Sequence, residues 1–342
     1  MIKEKSIMHE KELITNFNKL TQSQQDRIQR EIINFCNLNV CLGDDKLSQC
    51  PYCHKKTKMI KKGFARGKQR YLCMDCYHKF TYDSHMITSF LKIDVDKFIE
   101  ICIDTLTMVP IHNTAARLNR SIKCVFLNRH KFLSMLEKYL ESEKIQLSGT
   151  IECDETYVLE SSKGSSLKHR KARHRGEPSR FRGISHEQIC IVTTTDRNEH
   201  EIFLAVGQSR PTKDIIQDTF KNNITQRSII YTDGTDCYNS LAECKKCKVV
   251  VHLKGHQSYN KVEHLNVVNH IHSVIKNKPA QYRGVATKYI NRYTALFVCM
   301  RRFMEMDINE LYEKLVWMIR YPFVITTKAL RNHNLFSFSI QE

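Results

Sequence analysis

Two CxxC pairs constrain the fold of this chain more than any other feature of its sequence. Cys50 and Cys53 form the first pair, and Cys73 and Cys76 form the second, with 19 residues between the pairs. Each pair can turn two thiolates toward one ion, and four thiolates are what a tetrahedral zinc site requires. The metal then supplies the core that so short a segment cannot build from apolar side chains. The sequence therefore predicts a four-cysteine zinc ribbon rather than four free thiols.

The charge of the chain predicts a polyanionic partner. Lys and Arg number 54 against 36 Asp and Glu, which gives a net charge of +18. Nucleic acid is the commonest partner of so basic a soluble protein, and an anionic membrane surface is the alternative. The sequence has no run of about 18 apolar residues and no signal-peptide pattern. We therefore expect no membrane span and a cytosolic location.

Residues 111–133 fit a helix-turn-helix pattern. Asn113 or Thr114 is expected to cap a short first helix, and Ser121 a second helix over residues 122–134. In such a pair the second helix enters the major groove of DNA, whereas an ordinary packed hairpin is the alternative. The side chains expected to be exposed on the second helix are Lys123, Asn128, Arg129 and Lys131. Lys123 and Arg129 are the candidates for DNA contact.

The second half of the chain fits a mixed α/β sheet. Strand-forming runs at 151–159, 188–195 and 201–206 follow one another, and two more, at 228–232 and 248–252, alternate with helical segments. Three strands in series followed by such alternation are typical of a mixed sheet rather than of a purely parallel or antiparallel one.

Acidic side chains lie within the first of these strands. Alternation places Glu152 and Asp154 on one face of the strand, and Cys153 and Glu155 on the other. Carboxylates in the middle of a strand are costly to bury unless they bind a cation. The strand therefore predicts a cation site.

Two later positions complete this candidate site. Asp233 directly follows the fourth predicted strand, and the carboxyl end of a buried strand is a common place for chemistry in α/β folds. A helix is expected over 264–278, where Asn269, His272 and Lys276 share one face. His272 can bind metal through a neutral imidazole nitrogen, and Lys276 can reach a phosphate. Each group alone is typical of an ordinary polar residue, but this order on strand, strand and helix indicates a metal site.

Several stretches together resemble a known family. They are CPYC with CMDC, IECDETYV, YTDGTDCY, and VNHIHSVIK followed by RGVATKYINRY, and they span most of residues 50–300. This combination resembles the DDE-type bacterial insertion-sequence transposases, specifically the insertion-sequence fifteen-ninety-five family. Members of that family pair an N-terminal zinc ribbon with an RNase H-like catalytic core. The resemblance implies a DNA transposase that cuts insertion-sequence ends and joins them to target DNA.

The resemblance also implies the chemistry and the partners. Asp154 and Asp233 would be the first two ligands of Mg²⁺ or Mn²⁺ in a two-metal phosphoryl transfer. The third ligand of the class is usually Glu, whereas His272 stands at the matching place here, with Asn269 as the near alternative and Lys276 in the same active site. Parts of the family carry Asn or His at that position. The implied partner is double-stranded DNA, namely the transposon ends and the target. The resemblance also implies a homo-oligomer that acts at the bacterial nucleoid in the cytoplasm.

A non-catalytic regulator is the alternative function. In that case the zinc ribbon and the helix-turn-helix segment bind DNA, and the α/β domain is a remnant of a transposase. The absence of the third carboxylate supports this alternative. A third possibility is a metal-dependent nuclease that cleaves DNA without joining strands.

A basic loop is expected between the first two strands of the sheet. Residues 163–182 carry eight Lys or Arg and one acidic residue. We expect this loop to bind DNA phosphates beside the active site, and a solvated insert is the alternative. The candidate DNA-contacting residues are Arg170, Lys171, Arg173 and Arg175.

The chain is therefore expected to contain five segments. They are an N-terminal helical segment (1–45), the four-cysteine zinc ribbon (46–84), the helix-turn-helix segment (90–145), an RNase H-like α/β catalytic domain (150–305) and a C-terminal helical tail (306–342). The tail is expected to pack against the core or against a second protomer.

Overall fold

The computed structural model of the chain describes most of the region from residue 50 to residue 332. The described residues are 21, 50–65, 68–81, 83–163, 174, 176–233, 236–251, 264–281, 284–320 and 324–332. The predicted N-terminal helical segment lies outside them, apart from Thr21, and so does the end of the predicted tail. The chain divides into two compact units, residues 1–99 with 306–324 and residues 100–305 with 325–342.

The first unit contains a small antiparallel sheet. Its strands are β1 (Met59–Ala65), β2 (Lys68–Cys73) and β3 (Lys79–Thr81), paired in the order β1-β2-β3. The buried interior is very small, since Phe80 packs there with the sulfur atoms of Cys50 and Cys73. So few apolar side chains cannot stabilise a sheet of this size without a crosslink or a metal. The sheet and the four cysteines beside it confirm the predicted ribbon.

The second unit contains the predicted mixed sheet. Its strands are β4 (Thr150–Leu159), β5 (Gln188–Asp196), β6 (Glu201–Gln208), β7 (Ile229–Thr232) and β8 (Lys248–Val251). They lie in the order β6-β5-β4-β7-β8. β4, β5 and β6 pair antiparallel, β7 runs parallel to β4, and β8 runs parallel to β7. Three antiparallel strands with two parallel strands beside the first form the RNase H-like arrangement, so the predicted fold class is confirmed.

Nine α-helices lie in the described parts of the chain. They are α1 (Val95–Leu106), α2 (Ile111–Arg117), α3 (Ile122–Ser142), α4 (Lys213–Phe220), α5 (Asn239–Lys245), α6 (Asn266–Gln281), α7 (Ile290–Arg302), α8 (Ile308–Arg320) and α9 (Thr327–Asn332). Among the described helices, none is both long and apolar enough to cross a bilayer.

Helices cover both faces of the mixed sheet. On one face, α4 and α5 bury Ile216, Phe220 and Leu241 in a core that includes Cys153 of β4. On the other face, α6 contacts β4 and β5, and α7 contacts β6. The strand alternation predicted for β4 is therefore observed, with Cys153 facing α4 and α5 and Glu152 facing α6. This layering brings α6 next to the acidic residues of β4.

The two helices of the predicted helix-turn-helix are present with altered limits. The Ser121 hydroxyl accepts a hydrogen bond from the Cys124 backbone N–H (3.2 Å), so the predicted cap of the second helix is confirmed. The first helix begins at Ile111, directly after Pro110, and the expectation of a cap at Asn113 or Thr114 is therefore wrong. Thr114 is instead buried, and its hydroxyl donates to a carboxylate of α1.

The expected exposure of α3 holds only for its first turns. Lys123 is exposed, as predicted. Asn128, Arg129 and Lys131 are 5%, 3% and 2% exposed, so the expectation for these three residues is wrong. The reason is length, because α3 continues to Ser142 and packs along α7. Arg129 donates to the Val109 carbonyl (2.9 Å), which fixes it as a structural contact.

Candidate active site

The pairing of β4 with β7 brings the two predicted aspartates together. Their parallel register aligns Thr150 with Ile229 and Glu152 with Tyr231. Two residues further along each strand, the same register places Asp154 beside Asp233, which directly follows β7. Residues two apart along a strand share a face, so Asp154 lies on the same face as Glu152. In agreement with this register, an oxygen of each aspartate lies within 4.8 Å of the other.

A third acidic residue joins this cluster. Each of Asp154, Glu155 and Asp233 offers a carboxylate oxygen that lies within 4.8 Å of the other two. Strand alternation had placed Glu155 on the opposite face from Asp154. The described pairing of β4 with β7 ends at Glu152, and Glu155 lies three residues beyond it. Sequence reasoning missed Glu155; the signal was two adjacent acids beyond the end of the neighbouring strand.

His272 of α6 lies beside Asp154. It is 6% exposed, and its Nδ1 lies 3.4 Å from Asp154 Oδ2. Burial, and then the positive charge of Lys276, lower the pKa of His272 to about 4. The imidazole is therefore neutral at pH 7. Its Nε2 is buried and has no hydrogen-bond partner among the described residues.

The other two candidates on α6 are exposed. Lys276 lies one turn beyond His272, and its charge acts on the imidazole. Asn269, the alternative third ligand, is exposed one turn before it. Of the two candidate ligands, the buried His272 is therefore the one placed beside Asp154.

Glu152 has a role that the sequence did not indicate. Its side chain is 1% exposed, and Oε2 accepts hydrogen bonds from the backbone N–H groups of Val267 and Val268, both at 3.1 Å. Its other oxygen contacts the Arg197 guanidinium and, at 3.3 Å, His264 Nδ1. These N–H groups belong to the first turn of α6, where a carboxylate is favoured by the helix dipole. Glu152 is thus compensated by a helix terminus and a cation of the protein, and it ties α6 to β4.

The donor set fits a hard divalent cation. Carboxylate oxygens are the ligands that Mg²⁺ prefers, and an added imidazole nitrogen also suits Mn²⁺. The residues that could hold such ions are Asp154, Glu155, Asp233 and His272. Three carboxylates this close repel each other unless a cation lies between them. The cluster is therefore a candidate metal centre.

The four cysteines of the ribbon are arranged for a single zinc ion. The Sγ atoms of Cys50 and Cys76 lie 3.6 Å apart, and those of Cys53 and Cys73 lie 3.8 Å apart. A tetrahedron with zinc–sulfur bonds of about 2.3 Å has edges of about 3.8 Å. A disulfide would require about 2.05 Å, so the thiols are not paired as bridges. The spacing fits a closed structural zinc site.

Both CxxC pairs adopt the same turn. The residue that follows each pair, His54 or Tyr77, has a positive φ, 56° and 57° respectively. Their backbone N–H groups donate to the carbonyls of Cys50 (2.9 Å) and Cys73 (3.1 Å). This repeated turn directs the two thiolates of each pair toward the same point.

The predicted basic loop is described only near its ends. Arg170, Lys171, Arg173 and Arg175 lie outside the described residues. Close to β5, Glu187 accepts hydrogen bonds from the Arg180 backbone N–H (2.8 Å) and from Arg180 Nε (2.6 Å). These bonds, first the one from the backbone, lower the pKa of Glu187 to about 2. The charge of Arg180 is thus matched within the protein, and this residue anchors the loop rather than adding to its positive field.

The acidic cluster therefore lies on the adjacent strands β4 and β7 of an RNase H-like sheet. Residues 146–301 match the model of the ISXO2-like transposase domain, and they include Asp154, Asp233 and His272. This similarity to the ISXO2-like transposase domain covers the region from β4 to the last turn of α7.

Other similarities are more distant. A protein of Halobacterium salinarum, called an uncharacterized protein in transposable element ISH50, is 26% identical over 266 residues, which cover 74% of this chain and 84% of that protein. The pre-cleavage Mos1 transpososome is 11% identical, with a TM-score of 0.25, over 67% of this chain and 75% of the Mos1 chain. The Mos1 strand transfer complex is 12% identical, with a TM-score of 0.27, over 66% and 73%.

Proposed function

We propose that this protein is a DNA transposase that cleaves the ends of an insertion sequence and joins them to target DNA. One observation carries the proposal: within a region that matches the ISXO2-like transposase domain, Asp154 and Asp233 meet on adjacent strands, and His272 of α6 lies beside Asp154. A surface aspartate or a core histidine alone would not support it. The meeting of two carboxylates from adjacent strands, with an imidazole from a helix beside one of them, does support it.

The residues of this cluster would hold Mg²⁺ or Mn²⁺. When bound, the ions supply the Lewis-acid activation of the attacking oxygen and the stabilisation of the leaving oxygen that phosphoryl transfer needs. Asp154 and Asp233 act as ligands and not as proton carriers. His272 offers an uncharged nitrogen, and the exposed ammonium of Lys276 is in position to contact a DNA phosphate near the reacting group.

The rest of the chain would bind and position the DNA. Lys61 and Lys62 are exposed on the ribbon, which would hold a structural zinc ion, and Lys123 is exposed on α3. With Arg170, Lys171, Arg173 and Arg175 of the basic loop, they supply phosphate contacts that do not depend on base sequence. Arg129 is left out of this surface because it is buried. Two insertion-sequence ends require two active sites, so we propose a homo-oligomer acting on DNA in the bacterial cytoplasm.

The proposal is tested with the purified full chain, labelled insertion-sequence-end DNA, target DNA, and Mg²⁺ or Mn²⁺. We expect cleavage followed by joining. Asp154→Asn and Asp233→Asn should each lower the cleavage rate on the order of 100-fold or more, since cation ligation contributes several kcal/mol to the transition state. DNA affinity should change little. Asp218→Asn is the matched control, because Asp218 is an exposed residue of α4 that pairs with Lys221.

Each other outcome identifies a different protein. Full cleavage by either active-site variant would overturn the assignment of the aspartates. Binding of insertion-sequence ends by the wild-type chain without any cleavage would support the non-catalytic regulator. Cleavage without joining would indicate a metal-dependent nuclease.

A further inference from the structure

We propose that Glu155 is a further ligand of the catalytic cations and restores the third carboxylate that the helix α6 lacks. The inference rests on the proposed function, since it concerns the same metal centre. Transposases of the DDE class take this third carboxylate from the last position of the motif, where this chain has His272. Here the strand that carries Asp154 would supply it from the next residue.

The placement of Glu155 is the first argument. A carboxylate oxygen of Glu155 lies within 4.8 Å of oxygens of both Asp154 and Asp233, which allows all three to contact one ion or an ion pair. The Glu155 backbone N–H donates to Asp154 Oδ1 (2.8 Å). This bond leaves the other Asp154 oxygen directed toward His272 (3.4 Å), so the neighbouring groups converge on one volume.

The second argument comes from His272, independently of the carboxylates. Its side chain is more than nine-tenths buried beside Asp154, and its Nε2 finds no hydrogen-bond partner in the described part of the protein. A buried imidazole nitrogen without a partner is costly, and a metal ion is one of the few groups that satisfies it. Because Nδ1 of the same ring lies 3.4 Å from Asp154 Oδ2, a cation bound at Asp154 would lie next to this ring.

Charge is the third argument. Two divalent ions carry four positive charges, and the carboxylates of Asp154 and Asp233 together carry only two negative charges. The carboxylate of Glu155 raises the negative charge supplied by the protein to three, and the DNA phosphate would supply more.

A purely structural role of Glu155 makes different predictions. The Cys237 thiol, which is 5% exposed, donates to Glu155 Oε1 at 3.8 Å. If Glu155 served only to hold this contact, removal of the thiol would reproduce the loss of Glu155. A ligand role requires the carboxylate itself and is indifferent to Cys237.

The experiment measures Mn²⁺ binding to the full chain without DNA, by electron paramagnetic resonance of the free ion. Glu155→Gln should weaken Mn²⁺ binding by about tenfold or more while the melting temperature without Mn²⁺ stays the same. Glu155→Asp should bind with intermediate affinity, and Cys237→Ala should bind like wild type. Wild-type affinity in Glu155→Gln, or an equal loss in Cys237→Ala, would overturn the inference.

Asp154→Asn separates this inference from the proposed function. If that variant binds Mn²⁺ as the wild type does, the metal centre itself is misplaced and both proposals fail. If it loses binding and Glu155→Gln does not, only the role of Glu155 is wrong. Should Glu155→Gln fail to fold, carbodiimide labelling of the wild-type chain decides: Mn²⁺ should protect Glu155 together with Asp154, and protection of Asp154 alone would overturn the inference.

Discussion

At the scale of single residues, the proposed metal centre takes its third ligand from a histidine. His272 is buried, and burial together with the charge of Lys276 lowers its pKa to about 4. A neutral imidazole keeps a lone pair on one ring nitrogen, whereas the protonated ring has none to offer a cation. The direction of this shift keeps His272 in the ligand form throughout the neutral pH range.

The choice between the two candidate third ligands can be tested directly. His272→Ala should lower Mn²⁺-dependent DNA cleavage on the order of 100-fold, because a cation ligand is lost. Asn269→Ala should keep the rate within a few-fold, because Asn269 is exposed rather than placed beside Asp154. Cleavage assays of both variants, with DNA binding as the control, measure the difference. Loss of cleavage in Asn269→Ala alone would assign the third position to the asparagine.

At the scale of elements, the position of α6 relative to β4 decides whether the metal centre forms. The helix carries His272, the strand carries Asp154, and Glu152 joins the two by accepting hydrogen bonds from the first turn of α6. The Arg197 guanidinium contacts the same carboxylate. Glu152, whose position in the middle of a strand is typical of a cation ligand, therefore caps the distant helix α6 instead.

Removal of this cap should weaken the second unit. Glu152→Ala should lower the free energy of unfolding by about 2 kcal/mol, because two N–H groups of α6 lose a carboxylate partner. Urea denaturation followed by circular dichroism measures the change. Glu143→Ala removes a less buried carboxylate that pairs with Arg302, and it should cost less than about 1 kcal/mol.

The two variants should also differ in activity. DNA cleavage should fall in Glu152→Ala, because α6 is no longer fixed where His272 meets Asp154. Cleavage in Glu143→Ala should match that of wild type. Equal stability losses in the two variants would show that the contact between Glu152 and α6 contributes no more than an ordinary ion pair.

At the scale of the whole molecule, the two units depend on different cores. The second unit buries a cluster of apolar side chains between its sheet and the helices α4 and α5. The ribbon of the first unit buries one aromatic ring among four cysteines. We therefore expect the ribbon, and not the mixed sheet, to depend on zinc.

This difference predicts the result of removing a single thiol. Cys73→Ser should lose the one zinc ion expected per chain and should raise amide hydrogen exchange over residues 50–81, while exchange in the mixed sheet stays low. Cys244→Ser is the control, since Cys244 is exposed on α5 and does not belong to the four-cysteine group. Metal analysis and hydrogen-exchange mass spectrometry provide the two readouts. Retained zinc in Cys73→Ser, or equal exchange increases in both regions, would contradict the assignment.

Much of the fold follows from local sequence patterns. The spacing of the cysteines, the strand-forming runs and the Ser121 cap each act within a few residues, and the structure bears out the ribbon, the order of strands and helices, and that cap. The first helix of the pair was misplaced because the restriction imposed by Pro110 outweighed the capping preference of Asn113 and Thr114.

The pairing of the aspartates was predictable for a different reason. Asp154 lies two residues beyond the paired part of β4, and Asp233 directly follows β7. These two carboxylates meet whenever the two strands are parallel neighbours in this register. The family resemblance supplied that pairing before any contact was known. The roles of Asp154, Asp233, His272 and Lys276 stay predictions until the cleavage assays are done.

The sequence alone therefore determined the types of side chain and their local order: four thiols at metal-ligand spacing, a basic chain, and an α/β sheet with two aspartates at strand positions. Tertiary structure alone decided the positions of three other polar side chains. Arg129 is buried because α3 packs along α7, Glu152 caps a helix more than a hundred residues away, and Glu155 joins the acidic cluster of Asp154 and Asp233. In each case the deciding partner is distant in the chain, and no local pattern can encode its position.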